Sequence, residues 1–277
     1  MELCPINMRV VKSQLSHCLA LFETMSDAGR DHRLTDLAAA LDAPKSSVQR
    51  LLEHLMGEGW VEQDASTGQY RLTLRLGVLG QRYMQTAGIA DATQGILERV
   101  ARQTAELVRL TVVDQQKLIW IGSAQGAPAG LLYQPSMSGR IVSFATANGK
   151  AWLATLSDEE ACEIALRDGL GKNPGNVGPR AIATIDHLRR ELDVVRNRGF
   201  AVVEEEAEPG VAAMAVAVRD SATGLALGTT SVAGPVVRLR PERQQEIIPV
   251  LTSAAQELAR IWPLSRLSPA LESRILP

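Results

Sequence analysis

The chain has 277 residues, 45% of them hydrophobic and 22% charged, a size that suggests about two domains at roughly 150 residues each. That balance excludes wholesale disorder and collagen-like repeats, and with no run of eighteen apolar residues nothing in the sequence spans a bilayer. The net charge is −2, so bulk charge does not announce nucleic acid and any such reading must rest on one local face.

Three helical patterns come first. Leu15, Cys18, Leu19, Phe22 and Met25 recur at three- and four-residue steps, which predicts one apolar stripe on a helix over residues 11–25. Residues 27–30 (DAGR) break it. Thr35 is expected to cap a short helix carrying Leu37, Ala38 and Leu41, and Pro44 to sit in the first turn of a third helix. That helix turns Val48, Leu51, Leu52 and Leu55 to one side and ends around residues 57–59. Two strand-like runs, 60–63 and 69–72, flank a polar loop ending in Gly68, a usual hairpin connection. A further helix, with Leu76, Leu79 and Tyr83 aligned, runs toward Thr86. Together these elements make a winged helix-turn-helix plan.

From about Ile89 the pattern changes to a helix (Ile96, Leu97, Val100, Ala101) and a strand over 107–114. The dipeptide Gln115-Gln116 is read as a tight turn into a second strand, 117–122. An apolar run, 130–133, leads through a loop to a helix over 147–156, and a second helix is expected over 158–167. A turn-rich loop fills 169–179. Thr184 is expected to cap a helix running to Gly199, followed by strands over 200–205, 213–220 and 225–233 and a last helix over 241–261. Several strands are joined too tightly for parallel crossovers, so the fold class is α+β with a largely antiparallel sheet.

The third helix carries the most chemistry. With its leucines inward, a 100° step puts Ser46, Gln49, Arg50 and Glu53 outward, with Lys45 in the first turn. Short hydroxyls and a helix N-terminus suit phosphates, while Gln and Arg are long enough to reach base edges. Lys45, Ser46, Ser47, Gln49 and Arg50 are therefore the candidate DNA contacts on the helix, and Ser66, Thr67, Gln69 and Arg71 those on the hairpin. A solvated helix face is the plainer alternative; the hairpin shifts the balance toward DNA.

Other chemistries find little support. Cys4, Cys18 and Cys162 are far apart with no C-x-x-C, so ordinary reduced thiols are expected. The histidines show no metal-ligand spacing. Gly149-Lys150 is followed by Ala, and Phe144 stands where a phosphate-binding loop needs Gly. No G-x-S-x-G elbow occurs. The acidic triplet Glu204 to Glu206, with Glu208, alternates along a strand, so a structural or solvated role is favoured over a metal site. The expectation is a non-enzyme without metal or cofactor. Residues 1–9 lack a basic segment followed by an apolar one, which predicts a cytoplasmic protein without a secretory signal.

Residues 34–55, LTDLAAALDAPKSSVQRLLEHL, resemble the DNA-binding unit of the IclR family of bacterial transcription regulators. Residues 67–77, TGQYRLTLRLG, are similar to that family's wing and the start of its linker helix. Residues 146–154, TANGKAWLA, and 199–211, GFAVVEEEAEPGV, are similar to its later signatures. The resemblance runs from about Val10 to Trp262. It implies a winged helix-turn-helix domain over 1–73, a linker helix over 74–88, a GAF-like effector-binding domain over 89–264 and a tail over 265–277. It also implies a homodimer, or a homotetramer, bound to a double-stranded DNA operator and controlled by a small organic or aromatic acid. The family's pocket maps onto Tyr133, Ile141, Ala147, Asn148, Val203, Val211, Ala213 and Ser231. Val203 and Ala213 replace an acidic residue and a cysteine of small-oxoacid binders, and Phe144 a frequent histidine, which favours a bulkier or aromatic ligand. The competing class is a metabolite-sensing or enzymatic α+β domain whose helical head mediates protein interaction.

Overall fold

A computed structural model describes residues 13–26, 31–86, 89–128, 130–135, 141–172 and 177–262. The chain divides into two compact units, Met1–Tyr83 and Met84–Pro277.

The first unit runs α1 (Gln14–Ser26), α2 (Leu34–Ala40), α3 (Lys45–Gly57), β1 (Val61–Gln63), β2 (Tyr70–Leu72) and the start of α4 (Leu74–Thr86), whose last turn crosses into the second unit. Leu21, Met25, Leu37, Leu41, Val48, Leu52, Leu55, Val61 and Tyr70 form its core. Each such side chain contributes about 1.5–3 kcal/mol on burial, so the leucine side of α3 fixes which side of that helix faces out.

The hairpin is antiparallel, with Val61 opposite Leu72 and Gln63 opposite Tyr70, and His32 adds a bridge to Tyr70. The start of α4 is pinned to this unit: the Arg75 guanidinium lies 4.7 Å from the centre of the Trp60 ring and donates to the Glu58 carbonyl.

Three expectations need correction here. The stripe on α1 divides: Leu21 and Met25 are buried with Cys18 and Phe22 beside them, whereas Leu15 and Leu19 are 69% and 57% exposed. Thr35 is not the cap of α2. Arg33 holds the extended N-cap backbone and no side chain caps it, while the Thr35 hydroxyl donates to Asp36. Pro44 is the N-cap of α3 rather than a first-turn residue, with φ −58° and ψ 137°; proline's fixed φ suits both places. The expected break at 27–30 lies outside the described residues.

The second unit runs α5 (Ile89–Thr104), β3 (Leu107–Asp114), β4 (Lys117–Gln125), α6 (Ala147–Leu153), α7 (Asp158–Arg167), α8 (Ile185–Arg198), β5 (Ala201–Glu204), β6 (Val211–Arg219), β7 (Ala226–Pro235) and α9 (Pro241–Arg260). The five strands stand in the order β4-β3-β7-β6-β5, every neighbouring pair antiparallel.

Successive strand residues point to opposite faces, and the two faces carry different helices. Val108, Leu110, Ala212, Met214 and Val232 pack with α5 and α9. Ala201, Val203 and Ala215 pack with α6, α7 and α8. Ser157 makes a capping box with Glu160 at the start of α7, and Thr184 caps α8 by accepting from the His187 amide. Residues 131–135 form no strand or helix, and Leu131 and Leu132 of the apolar run are 65% and 43% exposed.

One loop design occurs twice. Residues 64–68 (DASTG) join β1 to β2, and residues 220–224 (DSATG) join β6 to β7. In both, an aspartate Oδ1 accepts from the amides two and three residues on. A glycine at φ +69° or +74° then closes the loop onto the aspartate carbonyl, in the left-handed region where a side chain would strain the backbone.

Candidate nucleic-acid interface and ligand-binding face

On α3, Val48, Leu51, Leu52 and Leu55 are buried and Lys45, Ser46, Ser47, Gln49 and Arg50 are exposed. The helical period therefore brings the five predicted helix residues onto the outward side, as the apolar spacing requires. No acid lies in the first turn, which leaves the positive end of the helix dipole uncompensated. Two outward residues hold local partners: Gln49 donates to Glu53 at 3.0 Å and Arg50 Nε to the Ser46 carbonyl at 3.3 Å.

The hairpin residues are more constrained than the sequence suggests. The Ser66 amide and hydroxyl and the Thr67 amide all donate to Asp64 Oδ1, at 2.8, 2.5 and 2.9 Å. These bonds hold the Asp64 carboxyl well below the usual carboxylate range, the Ser66 hydroxyl first. Ser66 thus has its donors turned inward at the hairpin tip. The Thr67 hydroxyl accepts from the Gln69 amide at 3.3 Å. Arg71 pairs with Glu62 at 2.6 Å, with Asp31 at 3.8 Å; a phosphate would have to compete with both.

In the second unit, the strand register lines up Val203, Ala213 and Ala233, and beside them Ala201, Ala215, Ser231 and Arg109. These odd-numbered positions face α6. Asn148 on α6 is buried and donates to the Thr229 hydroxyl at 2.8 Å, which lies 2.6 Å from that of Thr111. Val203, Val211, Ala213, Ser231 and Asn148 of the predicted pocket thus share one side of the sheet. Ala147 is buried in the α6–α8 core, and Ile141 is buried as well. Tyr133 reaches the acidic loop, its hydroxyl donating to Glu208 at 2.8 Å. Burial, together with that bond, raises the Tyr133 pKa, against the opposing pull of Arg109.

Arg109 was not among the residues read from sequence. Its guanidinium lies 3.8 Å from the centre of the Trp120 ring. Burial lowers its pKa, opposed by Tyr133 and Glu208 nearby. The available signal is a cation inside the largely apolar run of residues 107–113.

The acidic loop does not converge on one point. Glu206 meets the buried Lys150 at 2.6 Å, Glu205 the Arg180 side chain at 3.3 Å, and Glu208 takes Tyr133. Burial raises the Glu206 pKa even though Lys150 opposes it. Among the described residues no three His, Cys, Asp or Glu side chains are grouped to hold a metal ion. Gly149 precedes Lys150 because a Cβ there would stand 2.2 Å from the Ser143 carbonyl oxygen, so α6 sits directly on the segment before it. A separate cleft of about 270 Å³ opens between α6, α8, β6 and α9, lined by Ala151, Val195, Arg196, Ala217 and Arg219 among others. It contains none of the predicted pocket residues. Its Arg196 is bound to Asp158, Asp193 and two carbonyls.

Comparison with known proteins agrees with this division. Residues 14–65 match the IclR helix-turn-helix domain and residues 81–260 the bacterial transcriptional regulator IclR C-terminal domain. The HTH-type transcriptional regulator KdgR of Escherichia coli is 28% identical over 251 residues, which cover 88% of this chain and 92% of that one. An IclR transcriptional regulator from Alicyclobacillus acidocaldarius superposes with TM-score 0.78 at 24% identity, over 90% of this chain and 98% of the other. An IclR homologue from Microbacterium hydrocarbonoxydans, complexed with 4-hydroxybenzoate, superposes with TM-score 0.71 at 21% identity, over 90% and 98%.

Proposed function

The chain belongs to the IclR family of bacterial transcriptional regulators, and we propose that it binds one operator as a homodimer or homotetramer under control of a small organic or aromatic acid. As a member of that family it is a DNA-binding regulator rather than an enzyme. The observation that carries the reading is α3, which buries four apolar residues and leaves Lys45, Ser46, Ser47, Gln49 and Arg50 exposed behind a helix N-terminus free of acids.

In this account residues 1–73 are the winged helix-turn-helix domain, 74–88 the linker helix, 89–264 the effector domain and 265–277 a tail. Gln49 and Arg50 reach base edges, while Lys45, Ser46 and Ser47 meet phosphates. On the hairpin, Thr67, Gln69 and Arg71 track the backbone, with Ser66 shaping the tip. Two copies present their α3 helices to half-sites about 34 Å apart. Leu15 and Leu19 on α1 and Leu74, Val78, Leu79 and Tyr83 on α4 are all more than half exposed. Exposed apolar side chains in such number support self-association through this part of the chain.

The ligand would lie on the α6 side of the sheet, between Tyr133, Ile141, Ala147, Asn148, Val203, Val211, Ala213 and Ser231. Val203 and Ala213 give that site apolar walls, and Tyr133 and Trp120 add rings, which suits an aromatic acid. A structural relative that holds 4-hydroxybenzoate is consistent with that class. Effector and DNA must then alter each other's affinity by the same factor.

Selection of genomic fragments from the source organism by the full-length protein tests the reading. The expected result is one recurrent two-fold-symmetric sequence, whose binding weakens steeply with salt as counterions are released. Recovery of random fragments, or binding insensitive to salt, would favour the protein-interaction alternative.

A further inference from the structure

Arg109 on β3 and Ser231 on β7 are directly opposed across the strand pair and face the α6 side of the sheet. Among the described residues, each holds a buried polar atom without a hydrogen-bond partner: Nε of Arg109 and Oγ of Ser231. Unpaired buried polar groups are rare because each forfeits its bonds to water. Here two of them belong to one directly opposed cross-strand pair, on the same side of the sheet.

The surroundings limit what that acceptor is. Trp120 covers one face of the guanidinium, so its in-plane N–H edge is left to bind, the geometry that pairs with a carboxylate. The Tyr133 hydroxyl donates to Glu208 at 2.8 Å, and both groups act electrostatically on this guanidinium. Lys150 is taken by Glu206, so the nearby cation is Arg109 and the nearby anion Glu208. One cation beside one fixed anion suits a monoanion better than a phosphate dianion, which Glu208 would repel.

We propose that Arg109 and Ser231 together anchor the carboxylate of a small monocarboxylic acid, with Trp120 and Tyr133 flanking the anchor. The proposal rests on the reading of the second unit as an acid sensor and names what holds the acid's charge. One carboxylate oxygen accepts from Arg109 Nε and the other from the Ser231 hydroxyl, which satisfies both orphaned donors at once.

Calorimetric titration of the full-length protein with benzoate, phenylacetate and hexanoate, each beside its neutral amide, provides the test. The best-bound acid is expected to bind at least tenfold tighter than its amide. Arg109→Gln should erase that preference, Arg109→Lys should keep part of it by retaining charge without the fork, and Ser231→Ala should weaken the acid several-fold. Circular dichroism identifies a variant that fails to fold, in which case Ser231→Ala and Arg109→Lys carry the test. Acid binding unchanged in the folded variants, or amides bound as tightly as acids, overturns the anchor and leaves the sensor reading standing. A wild-type protein that binds none of the three acids also overturns it. Operator binding in that same sample then shows whether the regulator reading survives.

Discussion

The side-chain amide of Gln49 donates to Glu53 Oε1 at 3.0 Å, one turn further along α3. An acid on the outward side therefore occupies a residue proposed to read bases, and would stand close to phosphates once DNA is bound. Glu53→Ala removes that charge and frees the amide. Operator affinity in the variant is expected to rise, by roughly two- to tenfold at low salt, with a dependence on log salt steeper by about one. Fluorescence anisotropy across a salt series measures both. Unchanged affinity and slope would place Glu53, and with it this side of α3, away from the duplex.

Asp64 and Asp220 close the two matching loops, and the hydrogen bonds they accept lower both carboxyl pKa values. Because each titrates lower in the folded chain than in the unfolded one, its stabilising bonds are fully present above the unfolded value, about pH 4. They are lost only as pH falls through the lower folded value. In a carboxyl-selective NMR titration Asp64 is expected to stay ionised at about pH 3.5, and Asp220 to titrate below the ordinary aspartate value. Midpoints near the ordinary aspartate value would contradict the loop geometry. At any pH where DNA binding is measured, Asp64 is then a fixed negative charge at the hairpin tip, and Asp64→Asn should tighten operator binding.

The β3–β4 turn places Gln115 and Gln116 at φ +43° and +60°, the left-handed region that two-residue hairpin turns require and that Asn-Gly occupies with least strain. Gln116 also accepts from Arg167 at its backbone carbonyl, at 2.8 Å, a bond that a glycine would keep. The double variant Gln115→Asn, Gln116→Gly is expected to stabilise the second unit by about 0.5–1.5 kcal/mol. A higher urea midpoint at unchanged slope would show it, and a lower midpoint would mean the glutamine side chains contribute more than the strain costs.

Much of this architecture is legible in the sequence because it is local. The 3.6-residue spacing of Val48, Leu51, Leu52 and Leu55 fixes the buried side of α3, and so the exposed side with Gln49 and Arg50. Thr184 and Gly199 mark the two ends of α8 where the structure has them. The α1 stripe failed because spacing alone does not say which of several apolar residues the core needs: Leu21, which the pattern passed over, is buried while Leu15 is exposed. The pairing of Arg109 is hidden for a different reason. Only the pairing of β3 with β7, more than a hundred residues apart in the chain, sets it opposite Ser231. A strand pattern reports which residues alternate but not what stands across from them. On the hairpin, composition shows the hydroxyls of residues 66 and 67 but not that Asp64 binds the Ser66 donors.

The central claim is that the outward side of α3 reads DNA, and Arg50 tests it most directly. Its guanidinium is exposed, held through Nε by a bond to the Ser46 carbonyl, and contributes nothing to the leucine core, so Arg50→Ala leaves the fold intact. Operator binding by the wild type and Arg50→Ala, compared on the selected site and on scrambled duplex, is the decisive measurement. A loss of about 1–3 kcal/mol confined to the selected site is the predicted result. A variant that keeps full affinity and full preference for that site would contradict the account.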